Sequence, residues 1–109
     1  MNNKLDKNEL FLILTRIEKG KVTTYSHLAS MLGNKKWARA VGNALHTNSD
    51  GDAYPCYKVV DSLGRLSRAY AFGGIDEQKR RLVSDGVEVR DYTVDLNKYG
   101  WIDEEENEG

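Results

Sequence analysis

The chain has 109 residues, of which 30% are charged and 39% are hydrophobic. This composition is typical of a single soluble globular domain. No apolar run approaches membrane-spanning length and no signal-peptide pattern opens the chain, so we expect a cytoplasmic protein with no membrane partner. The single cysteine cannot form an internal disulfide, and with two separated histidines it provides no metal-ligand cluster. We therefore predict neither a metal nor a cofactor.

The formal net charge of −1 conceals an uneven distribution of charged residues. Residues 103–109 contain five acidic residues and no basic one, a pattern typical of a disordered tail. Residues 1–102, which we predict to form the single domain, contain 16 basic residues and 12 acidic ones. A mildly basic domain permits a nucleic-acid partner without requiring one.

The first predicted helix begins after Asp6, whose side chain can cap it, and Glu9 follows three residues later as in a capping box. Apolar residues then recur at helical spacing, at Leu10, Ile13, Leu14 and Ile17. We expect Gly20 to end this helix. The pattern indicates a core element that carries no chemistry.

Two further helices are predicted around a short glycine-containing turn. Thr24 can cap a helix over 25–32, and Asn34, which follows Gly33, can cap another over about 35–46. Two short helices joined in this way are the helix-turn-helix pattern.

At about 100° per residue, the second of these helices separates a polar face from an apolar one. The polar face carries Lys35, Lys36, Arg39, Asn43 and His46. The opposite face carries Trp37, Ala38, Val41, Ala44 and Leu45. A solvated amphipathic helix would show the same pattern. However, Gly42 stands mid-helix at a cost of about 1 kcal/mol relative to alanine, which favours close approach by a partner.

The only proline of the chain directly precedes its only cysteine. Pro55 fixes its own φ and favours extended geometry at Tyr54, which predicts a rigid turn. The β-branched pair Val59-Val60 predicts a short strand. A cysteine between a stiff turn and a strand has the fixed direction that a nucleophile needs. A buried cysteine that acts only as a small hydrophobe is the common alternative.

The segment after the strand predicts a hairpin. A turn at 61–64 would join a strand over 57–60 to a second one over 65–67. A glycine-rich segment over 69–74 follows. The fold class predicted for the chain is therefore mainly α with a small β-hairpin, a helix-turn-helix domain of winged-helix-like type.

The last part of the chain predicts one more helix and a return to the core. Asp76 and Glu77 open a helix that extends to about Asp85, and Gly86 closes it. The alternation over 87–89 predicts a short strand. The C-terminal residues expected to pack onto the core are Leu96, Tyr99 and Trp101.

With these residues in view, the chain resembles the C-terminal domain of the O6-alkylguanine-DNA alkyltransferases and their stand-alone relatives, the alkyltransferase-like proteins. The resemblance extends over residues 10–89. It is based on Gly20–Tyr25, Ala38–Leu45, Asn48, Pro55-Cys56, Val59-Val60, Gly64 and Gly73-Gly74. The combination of Arg39–Gly42 with a following Asn48 and Pro55-Cys56 is specific.

The resemblance implies a DNA-repair activity. In that family a helix-turn-helix enters the minor groove of double-stranded DNA, O6-alkylguanine is flipped out of the helix, and the alkyl group is transferred stoichiometrically to a cysteine. Flipping is needed because O6 lies inside the duplex. Arg39 matches the arginine that holds the place of the extruded base, and Tyr25 matches the tyrosine that helps to rotate the phosphate. Cys56 matches the alkyl acceptor, and Asn48 the asparagine that supports its turn.

The resemblance thus implies three sets of site residues. The DNA-binding set is Tyr25, Thr24, Lys35, Lys36, Ala38, Arg39, Gly42 and Asn43. The lesion-pocket set is Tyr25, Pro55, Val59, Phe72, Gly73 and Gly74. The catalytic set is Cys56, Asn48, Tyr57 and Asp85.

The chain departs from the family at the positions that activate the thiol. Tyr57-Lys58 replaces His-Arg, Asp85 stands where the family has a glutamate, and the serine of the lesion-contacting loop is replaced near Phe72. Alkyl transfer needs a thiolate, and tyrosine is a poor base, although its hydroxyl could relay a proton through water or hydrogen-bond a thiolate. We expect Lys58 to point away from the site as the next strand residue. The expectation is therefore slow transfer.

Three functions remain open on the sequence. The first is alkyl transfer by a monomer. The second is a lesion sensor that recruits excision-repair proteins, since most stand-alone relatives have replaced the cysteine that this chain keeps. The third is a winged-helix transcription regulator, because a hairpin is predicted after the helix-turn-helix. Such a regulator would dimerise on paired half-sites. No dimerising helix is evident, and that function leaves Pro55-Cys56 unexplained.

Overall fold

The computed structural model describes residues 5–101. The helices and strands in chain order are α1 (Lys7–Leu14), β1 (Thr23–Thr24), α2 (Tyr25–Met31), α3 (Ala38–Leu45), β2 (Val59–Val60), α4 (Gly74–Ser84) and α5 (Leu96–Tyr99). The mainly helical class predicted from the sequence is confirmed. The acidic segment 103–109, for which we predict a disordered tail, lies outside the described residues.

Helix α1 begins as predicted and ends earlier. One carboxylate oxygen of Asp6 accepts hydrogen bonds from the backbone N–H groups of Asn8 and Glu9, at 3.0 and 3.2 Å. The expected end at Gly20 is wrong, because the helix stops at Leu14. There the Thr15 hydroxyl donates to the Leu12 carbonyl at 2.6 Å, and this side-chain bond competes with helical hydrogen bonding.

The helix-turn-helix has the two predicted caps. The Thr24 hydroxyl accepts a hydrogen bond from the His27 N–H at 3.1 Å at the start of α2, and the Asn34 side chain accepts one from the Lys36 N–H at 3.0 Å. The segment after Asn34 differs from the prediction, since Lys35–Trp37 form one 3-10 turn before α3 begins. This turn leads the chain into α3 and leaves both of its lysines exposed.

The predicted strand at Val59-Val60 is present, but its partner is not the one expected. β2 pairs in parallel with β1, with Thr23 opposite Val59 and Thr24 opposite Val60. The turn after β2 does close, since the Asp61 N–H donates to the Arg65 carbonyl at 3.0 Å. Beyond it the chain leaves this pairing, so the predicted strand over 65–67 is wrong. The hairpin on which the regulator hypothesis depended is therefore not formed.

Helix α4 ends as predicted, whereas the strand expected over 87–89 does not form. Gly86 follows the helix with φ +92°, and the Val87 N–H donates to the Leu82 carbonyl at 2.9 Å. This bond and the burial of Val87 form a helix C-terminal cap with its hydrophobic contact. The apolar side chain of Val87 therefore contributes to the C-terminal cap of α4 and does not indicate a strand.

The C-terminal segment packs onto the core as predicted. Trp101 is buried against α1 and α2 residues, and its backbone N–H donates to the Val22 carbonyl at 2.7 Å. Two groups of buried residues form the core, one around α1, α2 and α3 and the other around Val60, Leu82 and Val94. Within residues 5–101 no helix is both long and apolar enough to span a membrane.

Candidate nucleic-acid interface and active-site cavity

The polar face predicted for the second helix of the helix-turn-helix is exposed. Its members are Lys35, Lys36, Arg39, Asn43 and His46. Val41, Ala44 and Leu45 on the opposite face are buried in the core. A groove runs between the exposed face and the turn after β2, where Asp61 and Ser62 form its other side. The structure therefore presents three cations on the face that borders one open groove.

Gly42 lies on the floor of this groove, next to Tyr25. A Cβ built onto Gly42 would lie 3.8 Å from the nearest Tyr25 ring carbon, which is an ordinary van der Waals contact. The φ of Gly42 is also not positive, so its backbone does not require glycine. The fold itself would therefore accept alanine at this position, so packing within the described residues does not explain the glycine.

A small cavity lies directly behind α3. The residues that line it are Tyr25, Gly42, Leu45, His46, Cys56, Val59, Ser67, Ala69, Tyr70, Ala71 and Gln78. Tyr25, Gly42 and His46 line both the cavity and the groove, so the two spaces adjoin at these residues. The space inside is about 30 Å³, or about two water molecules, so it must widen before it can hold a purine.

Cys56 reaches this cavity from a 3-10 turn that Pro55 starts. The turn spans Cys56–Lys58 and leads directly into β2. The buried Asn48 amide donates hydrogen bonds to the Tyr54 carbonyl at 2.8 Å and to the Cys56 sulfur at 3.5 Å. Its oxygen accepts from the Asp50 N–H at 3.0 Å. The amide thus holds the backbone on one side of the cysteine and contacts the thiol itself.

The environment of Cys56 favours the neutral thiol. The side chain is buried, and this burial raises the pKa of the thiol above its ordinary value. The Asn48 hydrogen bond and the positive charge of Arg81 act in the opposite direction but do not cancel the effect of burial. Because the thiolate is the nucleophilic form, the free protein holds its cysteine in the less reactive state.

Tyr57 and Asp85 do not line the cavity. They face a separate groove that also contains Pro55 and Lys58. Burial, and then the negative charge of Asp85, raise the pKa of the Tyr57 hydroxyl. The hydroxyl therefore keeps its proton at neutral pH, which makes it unsuited to act as a general base.

Asp85 already has structural partners. Its Oδ2 accepts a hydrogen bond from the Gly20 N–H at 2.8 Å and lies 3.7 Å from the Lys58 ammonium. Lys58 is itself buried, and it donates to the carbonyls of Ile17 and Glu18 at 3.0 and 3.2 Å. Lys58 thus points away from the cavity, as expected. Its pair with Asp85 joins the chain after α1 to the end of α4.

The structure does not bring the residues of the predicted lesion pocket together in one place. Tyr25 and Val59 line the cavity. Phe72 packs elsewhere, since a Cβ on Gly51 would lie 3.1 Å from its ring and the Arg81 guanidinium lies 5.8 Å from the ring centroid. Gly73 and Gly74 start α4 with positive φ, and Pro55 lies in the Tyr57 groove.

Two buried residues that sequence reasoning missed contribute to the cavity. The Gln78 amide donates to the carbonyls of Tyr57 and Val59 at 3.1 and 3.0 Å and accepts from the Ser67 N–H at 2.8 Å. It therefore fixes two sides of the cavity. The available signal was a polar residue four positions before Leu82 on the apolar face of α4. Tyr70, the other missed residue, carried no such signal.

Comparison with known proteins identifies the family to which this arrangement belongs. Residues 7–87 match the family model described as the 6-O-methylguanine DNA methyltransferase DNA-binding domain. The chain belongs to this family. The match includes the helix-turn-helix, the Cys56 turn and α4.

The methyltransferase-domain relatives carry different names. A bifunctional methyltransferase/endonuclease of Picrophilus torridus is 47% identical over 90 residues, which cover 83% of this chain and 30% of that protein. A DNA base-flipping protein of Vibrio parahaemolyticus is 36% identical over 94 residues, covering 85% of this chain and 92% of the relative. The family thus includes both methyltransferases and proteins named for base flipping.

A solved structure of the same family has a closely similar fold. Atl1 of Schizosaccharomyces pombe, bound to damaged DNA containing O6-carboxymethylguanine, superposes with a TM-score of 0.81 at 29% sequence identity. The match covers 89% of this chain and 94% of Atl1. The mainly helical architecture with its small parallel sheet is therefore that of the family's DNA-binding domain.

Proposed function

We propose that this chain binds double-stranded DNA through α3, extrudes O6-alkylguanine into the cavity behind that helix, and transfers the alkyl group to Cys56. One observation carries the proposal. The cysteine lies in a cavity that adjoins the basic groove at Tyr25, Gly42 and His46, so a nucleotide leaving the duplex along α3 would pass directly to the sulfur.

The transfer is a single displacement at the alkyl carbon. The Cys56 thiolate attacks that carbon, the S–C bond forms and the C–O6 bond breaks. The electron pair remains on the base, which takes up one proton from solvent and becomes guanine. The thioether has no route back to the thiolate, so each molecule reacts once.

The exposed polar face formed by α3 and the 3-10 turn before it supports DNA binding through charge and shape. Lys35, Lys36 and Arg39 can neutralise phosphates, which predicts that affinity falls steeply with salt. Ala38 and Gly42 leave the helix thin where it would enter a minor groove. Arg39, exposed at the groove, is assigned to the space that the extruded base leaves.

The buried, protonated thiol supports slow transfer. General-base assistance contributes about 10²–10⁴ in rate, and neither Tyr57 nor Asp85 is placed to provide it. A well-oriented alkyl carbon can offset part of this loss, since orientation alone contributes about 7–11 kcal/mol in favourable cases.

The test is the mass of the intact protein after incubation with a duplex oligonucleotide containing O6-methylguanine. We expect a gain of one methyl group within hours, located on Cys56 and absent in Cys56→Ser. An undamaged duplex is the control. No mass gain despite tight binding of the lesion would contradict the transfer step.

That outcome would favour the second candidate, a sensor that binds the lesion and recruits excision-repair proteins. Two observations favour it. Tyr57 lies outside the cavity, and Asp85 is held by Gly20 and Lys58, so the thiol has no evident activating group. For either function we propose a cytoplasmic protein that acts as a monomer.

The role of Arg39 provides an independent test of DNA recognition. We expect Arg39→Ala to reduce the preference for O6-methylguanine over guanine about tenfold, a difference of about 1.4 kcal/mol, because the gap in the base stack is then unfilled. Lys35→Ala, the matched loss of one charge, should weaken binding to both duplexes equally. Fluorescence anisotropy measures both. Equal effects of the two variants on lesion preference would contradict the assignment.

A further inference from the structure

Tyr70 carries a buried hydroxyl that the fold does not use. The side chain is 8% exposed, and its hydroxyl has no hydrogen-bond partner among the described residues. An unpaired buried hydroxyl is costly, so such a group in a native protein calls for a functional explanation. Tyr70 lines the cavity that contains Cys56, which is where a bound base would meet it.

The ring of Tyr70 is held in place from the α4 side. The Arg81 guanidinium lies 5.9 Å from its ring centroid, and the Phe72 ring centroid lies at the same distance on a tilted plane. Arg81 is in turn fixed by Glu77, at 2.9 Å. These contacts engage the faces of the ring and leave the hydroxyl free to interact with a ligand.

Two neighbouring polar side chains of the cavity are already engaged. Gln78 uses its amide nitrogen and oxygen for three backbone groups, and the Ser67 hydroxyl accepts a hydrogen bond from the Ala69 N–H at 3.1 Å. Burial, followed by repulsion from the Cys56 thiolate that would be present at the high pH where the tyrosine ionises, raises the pKa of the Tyr70 hydroxyl to about 12. Tyr70 therefore keeps its proton at working pH and is available as a hydrogen-bond donor.

The lesion offers the matching acceptors. Alkylation at O6 removes the proton from N1 of guanine, so O6 and N1 of O6-alkylguanine both accept hydrogen bonds along one edge. We propose that the Tyr70 hydroxyl donates a hydrogen bond to this edge of the extruded base and so contributes to recognition of the lesion. The inference rests on the proposed function, because it requires the base to enter the cavity.

Tyr70→Phe tests the proposal, since it removes the hydroxyl and keeps the ring. We expect the preference for an O6-methylguanine duplex over a guanine duplex to fall about three- to tenfold, the effect of one hydrogen bond. We also expect the melting temperature of the free protein to stay the same or rise, because an unpaired buried hydroxyl is lost. Tyr99→Phe is the matched control, because Tyr99 packs against the second group of buried residues and lines neither the cavity nor the groove, and it should keep wild-type preference.

Lesion preference and melting temperature together distinguish a hydroxyl that serves the lesion from one that serves the fold. An unchanged lesion preference in folded Tyr70→Phe would overturn the proposal. A clear fall in melting temperature would also overturn it, because the hydroxyl would then have a partner in the free protein. Failure of the lesion binding that the proposed function requires gives a different result: the wild-type protein itself would show no preference for the lesion. Failure of the transfer step alone would leave this preference intact and appear only in the intact mass.

Discussion

Cys56 is subject to opposing influences from its immediate neighbours. Burial favours the thiol, whereas the Asn48 amide at 3.5 Å and the charge of Arg81 favour the thiolate. The balance leaves the pKa above its ordinary value. At neutral pH the thiolate fraction is therefore smaller than that of a free cysteine, so the proposed transfer should depend on pH.

We predict that alkyl transfer accelerates with pH. The raised pKa of Cys56 keeps the thiol mostly protonated up to about pH 8.5, the ordinary pKa, so the thiolate fraction should rise about tenfold per pH unit between pH 7 and 8.5. The mass gain after a fixed short time, under conditions that saturate the protein with DNA, measures the rate. A rate independent of pH over this range would show that the bound thiol is already ionised.

The second prediction at this scale concerns Tyr57→His. We expect transfer to accelerate by less than about tenfold, well below the usual contribution of a general base, because Asp85 is occupied by Gly20 and Lys58 and cannot orient the new imidazole. Tyr57→Phe is the control and should transfer at the wild-type rate. A gain of a hundredfold or more in the intact-mass time course would contradict this account.

At the scale of the element, α3 combines an ordinary core face with an unusually thin outer face. Its buried residues, which include Ala44, pack with those of α2 in the core, while Ala38 and Gly42 add almost no volume where they line the groove. The fold would tolerate a Cβ at Gly42. Glycine therefore makes α3 less stable than alanine would, and the packing of Gly42 does not compensate for this loss. This is the pattern expected where selection acts on binding.

Gly42→Ala should therefore change stability and binding in opposite directions. We expect the free energy of unfolding to increase by about 0.5–1 kcal/mol, the usual effect of replacing glycine by alanine within a helix. Affinity for duplex DNA should fall about tenfold, because the new methyl group stands in the groove. Urea denaturation and fluorescence anisotropy measure the two effects.

Ser30→Ala is the control for this substitution, because it improves helix propensity at an exposed position of α2 that does not line the groove. It should leave DNA affinity unchanged. If Gly42→Ala also binds DNA like the wild type, the thin face of α3 is not a DNA contact.

At the scale of the whole molecule, a buried ion pair joins three distant parts of the chain. Lys58 follows Cys56 by two residues, Asp85 ends α4, and both bond to the segment after α1. The Cys56 turn is thereby fixed to both halves of the core. The position of the thiol depends on this connection as well as on Asn48.

Asp85→Ala should destabilise the protein by about 3 kcal/mol, because it leaves the Lys58 ammonium buried without its counter-charge. Urea denaturation provides the measurement. Asp85→Asn should lower the free energy of unfolding by less, since asparagine can keep the hydrogen bond to Gly20. Glu88→Ala, at an exposed position, should change it little. A loss of less than about 1 kcal/mol in Asp85→Ala would mean that the pair does not hold the fold together.

Local features of the sequence were sufficient to predict much of the fold. The caps at Asp6, Thr24 and Asn34 each involve atoms two or three residues apart. The end of α4 at Gly86 has the same local origin. Such interactions are determined by neighbouring residue types, so they can be read directly from the chain.

The candidate site was only partly predictable for the same reason. The direction of Cys56 and its contact with Asn48 follow from a short segment around Pro55. The placement of Phe72 against Gly51 and Arg81 does not, because a glycine-rich segment can direct a bulky side chain to either side. Tyr70 and Gln78 became evident only once burial and hydrogen bonding were known.

The sequence by itself determined the helix-turn-helix, the basic face of α3 and a cysteine held between a turn and a strand. Only the tertiary structure decided which strands pair and which groups surround the thiol. Thr23 meets Val59, and Gly20 meets Asp85, across long stretches of chain. These contacts depend on how whole elements pack, because a strand or a buried charge can pair with a residue that lies far away in the sequence.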